Sequence, residues 1–339
     1  MQRKRELSSM KDKRIEWIDV AKAIGIIIVL AYHACPDGYF KNMMWQMHMP
    51  LFAFLSGIVY KEEYSLNFQK VRIFIIKKIE KLYIPFEAYS LFFLLLHNFF
   101  YKINFIGEIN GNKILSGGGY VKQFVLILTL GGGESLTGAL WYLIPLFELE
   151  IIFAVLLCLF KQIKKDKECN CVVAVIVAFI YILFSNLNLP RNLSNASRLI
   201  LFYSAGYFYK KYNVLELKRS VPKQVAALVG CLAIWMGCTL YSESWQGKNL
   251  LITAVSAGAA IYCVVEISKF LTKVAKEQVV AILKYIGKKT MPIVAWHFLV
   301  YCFVKMAYVW CNNLDRTLVA TKEAIRDPKW IAIYVVCGL

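Results

Sequence analysis

The chain has 339 residues, of which 59% are hydrophobic and 15% aromatic, and it carries a formal net charge of +18. This apolar fraction exceeds what an ordinary soluble domain needs, so the composition excludes that class and predicts an integral membrane protein. No polar stretch is long enough to form a core of its own, which predicts a single domain over residues 1–339.

Apolar runs recur along the whole chain, and each is about 17 to 22 residues long, enough to cross a bilayer as a helix. We therefore predict an all-α fold, a polytopic membrane bundle of about ten transmembrane helices. The predicted ranges are 18–35, 43–60, 82–101, 139–160, 171–188, 198–209, 223–241, 249–268, 290–310 and a last one from 330. The last segment is too short to span, which predicts an incomplete helix, either a half-helix or the start of a longer one.

Basic residues are concentrated in polar segments that the predicted spans place on one side of the membrane. They occupy 1–17, 61–81, 161–167, 210–223 and 269–289, whereas 36–42 and 242–248 are poor in them. This asymmetry is the positive-inside pattern and predicts a cytoplasmic N-terminus. It assigns the excess charge to topology and to contact with anionic membrane lipid, so we expect no nucleic-acid partner.

Two polar interruptions carry helical signals of their own. Residues 66–81 mix apolar and basic side chains, which predicts a basic amphipathic helix at the inner membrane surface. The longest interruption, 102–138, contains glycine runs and predicts a flexible exterior loop, in which the apolar stretch 121–130 forms an interfacial or re-entrant helix. The four histidines and ten cysteines show no clustered ligand spacing, so we predict no metal site.

Lys22 and His33 are the most informative polar residues of the first apolar run. Eleven residues turn a helix through about 1100°, so the two side chains share one stripe and lie about 16 Å apart along the axis. Ionisable groups are costly in hydrocarbon unless they face a protein interior or a water-filled cavity, so this stripe predicts a chemical site. His33, toward the outer end of the run, can act as a general base near neutral pH or hydrogen-bond to a neighbouring helix.

Further polar residues within the apolar runs are candidates to line this site. His48 lies toward the outer end of the second run, where it can approach His33 or anchor the helix at the interface. His297 is another intramembrane imidazole, and it follows a predicted helix start at Thr290. The other candidates are Ser56, Trp141 and Glu148.

Lys78 and Lys81 are three residues apart and share a helix face at the predicted inner surface. Such a pair can hold the phosphates of a nucleotide-like donor. Contact with lipid head groups is the alternative that the spacing leaves open.

Five motifs in chain order resemble the acyltransferase-3 family of integral membrane acyltransferases, and within it the fucose 4-O-acetylase-like sugar O-acetyltransferases. They are Asp19 with Lys22-x10-His33, His48-Met-Pro-Leu-Phe-x-Phe-Leu-Ser-Gly57, Lys78-x-x-Lys81-Leu-Tyr-Ile-Pro85, Leu140-Trp-Tyr-Leu-Ile-Pro145-Leu and Ile286-Gly-Lys…Trp296-His297. Together these motifs cover nearly the whole chain. Lysine stands at 22, 78 and 81, where the family usually has arginine, and it keeps the charge without the bidentate fork.

The resemblance implies a membrane-bound O-acetyltransferase that moves an acetyl group from cytoplasmic acetyl-CoA to a hydroxyl of a cell-surface or exported carbohydrate. It implies a multi-pass protein of a bacterial plasma membrane. His33 would act as a base or carry the acyl group covalently, with Asp19 and Lys22 shaping the site. The donor's phosphates are expected near Lys78, Lys81 and Arg72.

Two alternatives remain open at this point. The first is a transporter or lipid-linked sugar flippase without acyl transfer, because intramembrane ionisable groups also form proton relays. The second is a non-catalytic membrane scaffold, for which changes at Lys22 and His33 would alter stability alone.

Overall fold

The computed structural model describes residues 15–163, 166–214, 220–242, 246–321, 325 and 329–339, and these ranges fold into helices without a strand. The α-helices are α1 (Glu16–Ala34), α2 (Tyr39–Ile58), α3 (Phe68–Lys78), α4 (Ile84–Leu95), α5 (His97–Lys102), α6 (Gly117–Leu128), α7 (Leu143–Lys161), α8 (Asp166–Phe184), α9 (Leu193–Lys211), α10 (Val221–Thr239), α11 (Leu250–Val274), α12 (Glu277–Lys288), α13 (Thr290–Cys311) and α14 (Lys329–Gly338).

Five helical stretches are long and apolar enough to cross a membrane: α1, Ser135–Lys161, α10, α11 and α13. The second of these joins a 3-10 helix, Ser135–Tyr142, to α7. Helices also occupy the other predicted ranges, so the all-α class is confirmed, whereas the count of ten spans stays a prediction. The basic segment 1–14 lies outside the described residues, and the cytoplasmic position of the N-terminus also stays a prediction.

Helix α1 lies at the centre of the bundle, in contact with α2, α11, α12, α13 and α14. Its closest neighbour is α12, because Gly287 lies directly against the backbone carbonyl of Asp19, where a β-carbon would overlap that carbonyl. Small residues permit this approach of helix backbones in membranes, where packing replaces the hydrophobic effect as the driving force. The stripe of α1 that carries Lys22 and His33 is therefore fixed from several sides.

Helices α2 and α9 form a second close pair. A β-carbon at Gly57 would collide with the carbonyl of Tyr203, and one at Gly206 would collide with the carbonyl of Phe54. The two glycines therefore act reciprocally, each making room for the backbone of the other helix.

Helix α9 is longer than the predicted range 198–209, because its first turns contain polar residues that lower the apolar signal. These polar side chains are buried with partners: Ser197 Oγ donates to the Leu193 carbonyl at 2.8 Å, and Arg198 Nε donates to the Ser185 carbonyl at 2.9 Å. Hydrogen bonding to the backbone lets α9 pack inside the bundle despite its polarity.

The predicted amphipathic helix is present as α3, and the chain continues through a π-helical turn, Ile79–Tyr83, into α4. Pro85 lies in the first turn of α4 and has no N–H to offer the carbonyl four residues earlier, which explains a wider turn at this place. The turn lets one continuous stretch change direction from the amphipathic helix into the bundle.

The segment 102–138 differs from the predicted flexible loop. Asn98 binds the backbone of Leu115 through both atoms of its amide, and Tyr83 Oη donates to the carbonyl of Leu128 at 2.9 Å. Helix α6 therefore runs back along α4, which supports the re-entrant alternative over the interfacial one. The loop is ordered because its polar backbone groups find partners on α5 and on the π-helical turn before α4.

The two ends of the bundle have different chemistry. At one end, here called the histidine end, α1 terminates beside the start of α2, where Tyr39 Oη donates to the carbonyl of Met236 on α10 at 2.6 Å. At the other, the lysine end, Glu62 pairs with Lys161 at 3.0 Å and with Lys211 at 2.8 Å.

Candidate active site

A cavity of about 890 Å³ opens at the histidine end, a volume within the range of small-molecule sites. Helices α1, α2 and α13 contribute to its wall, together with residues near α14, the segment before α7, and the loop residues Phe105 and Ile106. The polar lining residues are Tyr32, His33, Cys35, Asp37, Lys41, Ser135, Tyr301, Cys302, Lys305, Thr321 and Tyr334.

His33 lines this cavity and is half-buried in its wall. It is the penultimate residue of α1, so the ring lies at the C-terminal end of that helix; the assignment of this end to the outer side stays a prediction. The ring of Phe298 meets it edge-on, with centroids 4.7 Å apart. Tyr301 Oη donates to the Leu30 carbonyl at 2.8 Å, which fixes α13 against α1 one turn below His33.

His297 lies directly behind His33, with ring centroids 5.3 Å apart, and has no exposed surface. Its Nδ1 lies 2.8 Å from the carbonyl of Val294, which can only accept, so Nδ1 carries a proton. In the neutral ring Nε2 is then a bare acceptor, and within the described part of the chain this buried atom has no hydrogen-bond partner. The structure thus brings two of the predicted site residues together.

Charged groups surround the mouth of the cavity. Asp37 pairs with Lys41 at 2.7 Å, and the aspartate side chain is 89% exposed, so this pair marks the rim. Lys305 lies further inside and donates to the Thr321 carbonyl at 2.9 Å.

The ordered segment after α5 supports the cavity wall. His97 lies 2.8 Å from the carboxylate of Glu134 through Nδ1 and 2.9 Å from the carbonyl of Lys113 through Nε2. Glu134 precedes Ser135 and Leu136, both of which line the cavity. His97, to which the sequence assigned no role, therefore anchors one wall of the site.

Lys78 forms an ion pair with Glu150, with Nζ–O distances of 2.7 and 2.8 Å. The glutamate side chain is 1% exposed and the lysine side chain 20%. Lys81 and Arg72 are exposed. Since Lys78 already serves a buried carboxylate, Lys81 and Arg72 are the more accessible cations of the predicted donor site.

The remaining predicted residues lie away from the cavity lining. Asp19 is buried and Lys22 half-buried near the start of α1, about 16 Å along the axis from His33. His48 is buried in the middle of α2, which begins at Tyr39, and the ring of Tyr32 stands between it and His33 at centroid distances of 5.0 and 4.9 Å. The half-buried residues Ser56, Trp141 and Glu148 also lie outside the lining.

Lys305 is the cavity residue that sequence reasoning missed. It is the one lysine inside the apolar run 290–310, and an isolated charge in such a run indicates a functional position by the same argument that selected His33. Tyr301 and Tyr334 carry no comparable signal, because tyrosines are common throughout this chain.

Fold and site together define a helical membrane protein with a histidine in the wall of a ligand-sized cavity. A family model for the acyltransferase domain matches residues 15–311. The match covers most of the chain, so the chain belongs to the acyltransferase-3 family of membrane acyltransferases. No curated protein and no solved structure matches it.

Proposed function

We propose that this protein is an O-acetyltransferase of a bacterial plasma membrane. It takes an acetyl group from cytoplasmic acetyl-CoA and transfers it to a hydroxyl of a cell-surface or exported carbohydrate. The N-terminus and the lysine end face the cytoplasm, and the histidine end faces outward. Family membership supports acyl transfer, and the cavity wall that contains His33 is the observation that carries the proposal for the site.

His33 acts as the general base in this proposal. The basic nitrogen of its neutral imidazole takes the proton of the acceptor hydroxyl while the hydroxyl oxygen attacks the thioester carbonyl. The C–S bond breaks, and coenzyme A leaves as a thiol after gaining a proton. His33 is the residue for this step because an imidazole exchanges protons near neutral pH, and its place in the wall admits a substrate.

His297 supports His33 from behind as a positioning residue. When His33 becomes charged, a ring N–H can turn to the bare Nε2 of His297, which lies in a ring whose centroid is 5.3 Å away. Catalytic hydrogen bonds are often long before substrate binds and tighten in the reacting complex. This contact would stabilise the imidazolium and hold its ring plane.

The donor enters from the lysine end. Lys81 and Arg72 attract its phosphates, and Lys78, held by Glu150, fixes the π-helical turn that carries Lys81. The thioester then follows α1 past Asp19 and Lys22 to His33, a route along a helix whose two ends are about 27 Å apart. Lys22 contributes positive charge along this route.

The test uses membranes that contain the full chain or its His33→Ala variant, incubated with acetyl-CoA carrying a labelled acetyl group. We expect label in the polysaccharide and lipid-linked glycan fraction, and a loss of about 10²- to 10⁴-fold with His33→Ala at equal expression and thermal stability. Near-normal transfer by the variant would remove His33 from this role.

The same material distinguishes a base from a covalent carrier. Without an acceptor, a general base leaves no label on the protein after denaturation, whereas an acyl carrier retains it. Accumulation of a glycan across vesicles without any acetylated product would instead favour the transporter alternative.

A further inference from the structure

A second pocket, separate from the lining of the His33 cavity, lies at the same end of the bundle. It has a volume of about 570 Å³ and lies between the end of α8, the start of α9 and Gln246. Tyr181 Oη donates to the Leu250 carbonyl at 2.7 Å, and the Asn186 amide donates to the Lys248 carbonyl at 3.2 Å. These bonds tie the α8 end to the start of α11, which fixes the shape of the pocket.

The lining of this pocket is rich in side-chain amides. Asn186, Asn188, Asn192, Asn195 and Gln246 all contribute to it. Each amide offers two donor hydrogens and an acceptor oxygen, the combination that matches the alternating donors and acceptors of sugar hydroxyls. The Gln246 amide already donates to Asn195 Oδ1 at 2.8 Å, so part of this array is held in place before a ligand arrives.

Arg198 gives the pocket a buried positive charge. The residue is 8% exposed; its Nε donates to the Ser185 carbonyl and its Nη2 to Asn186 Oδ1, both at 2.9 Å. Its Nη1 is buried and has no hydrogen-bond partner among the described residues, and the same holds for Ser185 Oγ. Among the described residues, those that line the pocket include no carboxylate.

We propose that this pocket binds a sugar that carries a carboxylate, with the acid facing Arg198 and the hydroxyls facing the amides. An incompletely partnered buried guanidinium is costly, and a carboxylate would supply both the opposite charge and the missing acceptor. The assignment of this sugar as a neighbouring unit of the acyl acceptor rests on the proposed function, whereas binding itself does not.

The experiment measures binding to the full purified protein without acyl donor, by calorimetry with D-glucuronate, D-glucose and acetate as probes. We expect glucuronate to bind about tenfold or more tightly than either glucose, which lacks the charge, or acetate, which lacks the hydroxyls. Arg198→Gln should bring glucuronate to the level of glucose. Arg316→Gln, which removes an exposed arginine from the same end, should change nothing.

A second variant covers the case in which Arg198→Gln does not fold. Asn188→Trp leaves Arg198 and its bonds intact, and the bulky ring fills the pocket, so glucuronate binding should be lost. Equal affinity for glucuronate and acetate, or unchanged binding by either variant, would overturn the proposal. The His33→Ala protein should still bind glucuronate, so that failure of acyl transfer and failure of this site are separate results.

Discussion

At the histidine end, polar side chains face two concave sites, and aromatic rings hold the central one in place. At the lysine end, charged side chains face one another or the surroundings, as in the cluster of Glu62 with Lys161 and Lys211. At the histidine end, buried groups such as His297 Nε2 have no hydrogen-bond partner. At the lysine end, the Glu62 carboxylate accepts a hydrogen bond from Tyr207 in addition to its two ion pairs. Unpartnered buried groups are expensive, and they also occur elsewhere, as at Asn170. At the histidine end they lie beside concave sites, which points to chemistry there.

The ion pair of Lys78 with Glu150 lies between the two ends. Breaking it should give the largest change in stability among the variants considered. Removing only the lysine leaves a buried charge, so Lys78→Met should destabilise the fold by about 3–5 kcal/mol. The double variant Lys78→Met/Glu150→Gln should recover most of that loss, because it removes both charges. Thermal unfolding in detergent measures both effects.

The double variant also separates two functions of Lys78. If the lysine only holds the fold, the double variant keeps the wild-type KM for acetyl-CoA, which is the result we expect. A stable double variant with a clearly raised KM would show that Lys78 serves the donor site, either by direct contact or by holding the turn that carries Lys81.

His297 provides the next test, at the histidine end. His297→Phe keeps a ring in the same place and removes the buried acceptor, so we expect kcat to fall about 10²-fold through lost alignment of His33. The KM for the acceptor should stay unchanged, and thermal stability should be equal or higher because a buried unpartnered nitrogen is gone. A loss of stability with normal kcat would instead make His297 a packing residue.

Lys81 and Arg72 should respond more weakly, because both are exposed. Exposed charge contacts contribute about 0.2–1 kcal/mol, so Lys81→Gln or Arg72→Gln should raise the KM for acetyl-CoA by up to about fivefold. The effect should disappear at high salt as the charges are screened. Arg316→Gln, at the histidine end, is the matched control and should leave the KM unaltered at any salt concentration.

Substitution of Glu62 should give the smallest change in stability, and it tests the ion pairs of the lysine end alone. Burial raises the pKa of its carboxyl, but hydrogen bonds from Lys211, Lys161 and Tyr207 outweigh burial and lower the pKa to about 2. The folded pKa is below the unfolded value, so this stabilisation is complete above about pH 4.5 and is lost as pH falls toward 2.

The measurement compares the melting temperatures of the wild type and Glu62→Gln across this pH window. The Glu62 side chain is 38% exposed, so the difference in free energy of unfolding should be about 1 kcal/mol at most. The two melting temperatures should converge as the pH falls toward 2. A difference that stays constant with pH would show that the carboxylate charge is not its source.

The helices were predictable from sequence because apolar runs of spanning length leave few alternatives. The start of α13 at Thr290 and the amphipathic α3 follow from local pattern in the same way. Helix α9 was predicted too short, because the partners of Ser197 and Arg198 come from the folded chain and do not show in hydropathy.

The site was predictable only in part. His33 and His297 are each visible as ionisable residues in apolar runs, but their contact joins positions that are more than 260 residues apart and depends on how α13 packs on α1. The pairing of Lys78 with Glu150 is invisible for the same reason. The segment after α5 has a defined structure because His97 binds Glu134 and the Lys113 carbonyl. No local sequence pattern predicts these contacts.

The close packing of α2 and α9 through Gly57 and Gly206 can form only after both helices have been synthesised. The two glycines are separated by about 150 residues, which a ribosome adds in roughly 7–30 s. Throughout that interval the Gly57 surface of α2 has no packing partner, because α9 has not yet been synthesised. The half-built protein is thus exposed to chaperones and proteases for a time fixed by chain order, whatever the strength of the final contact.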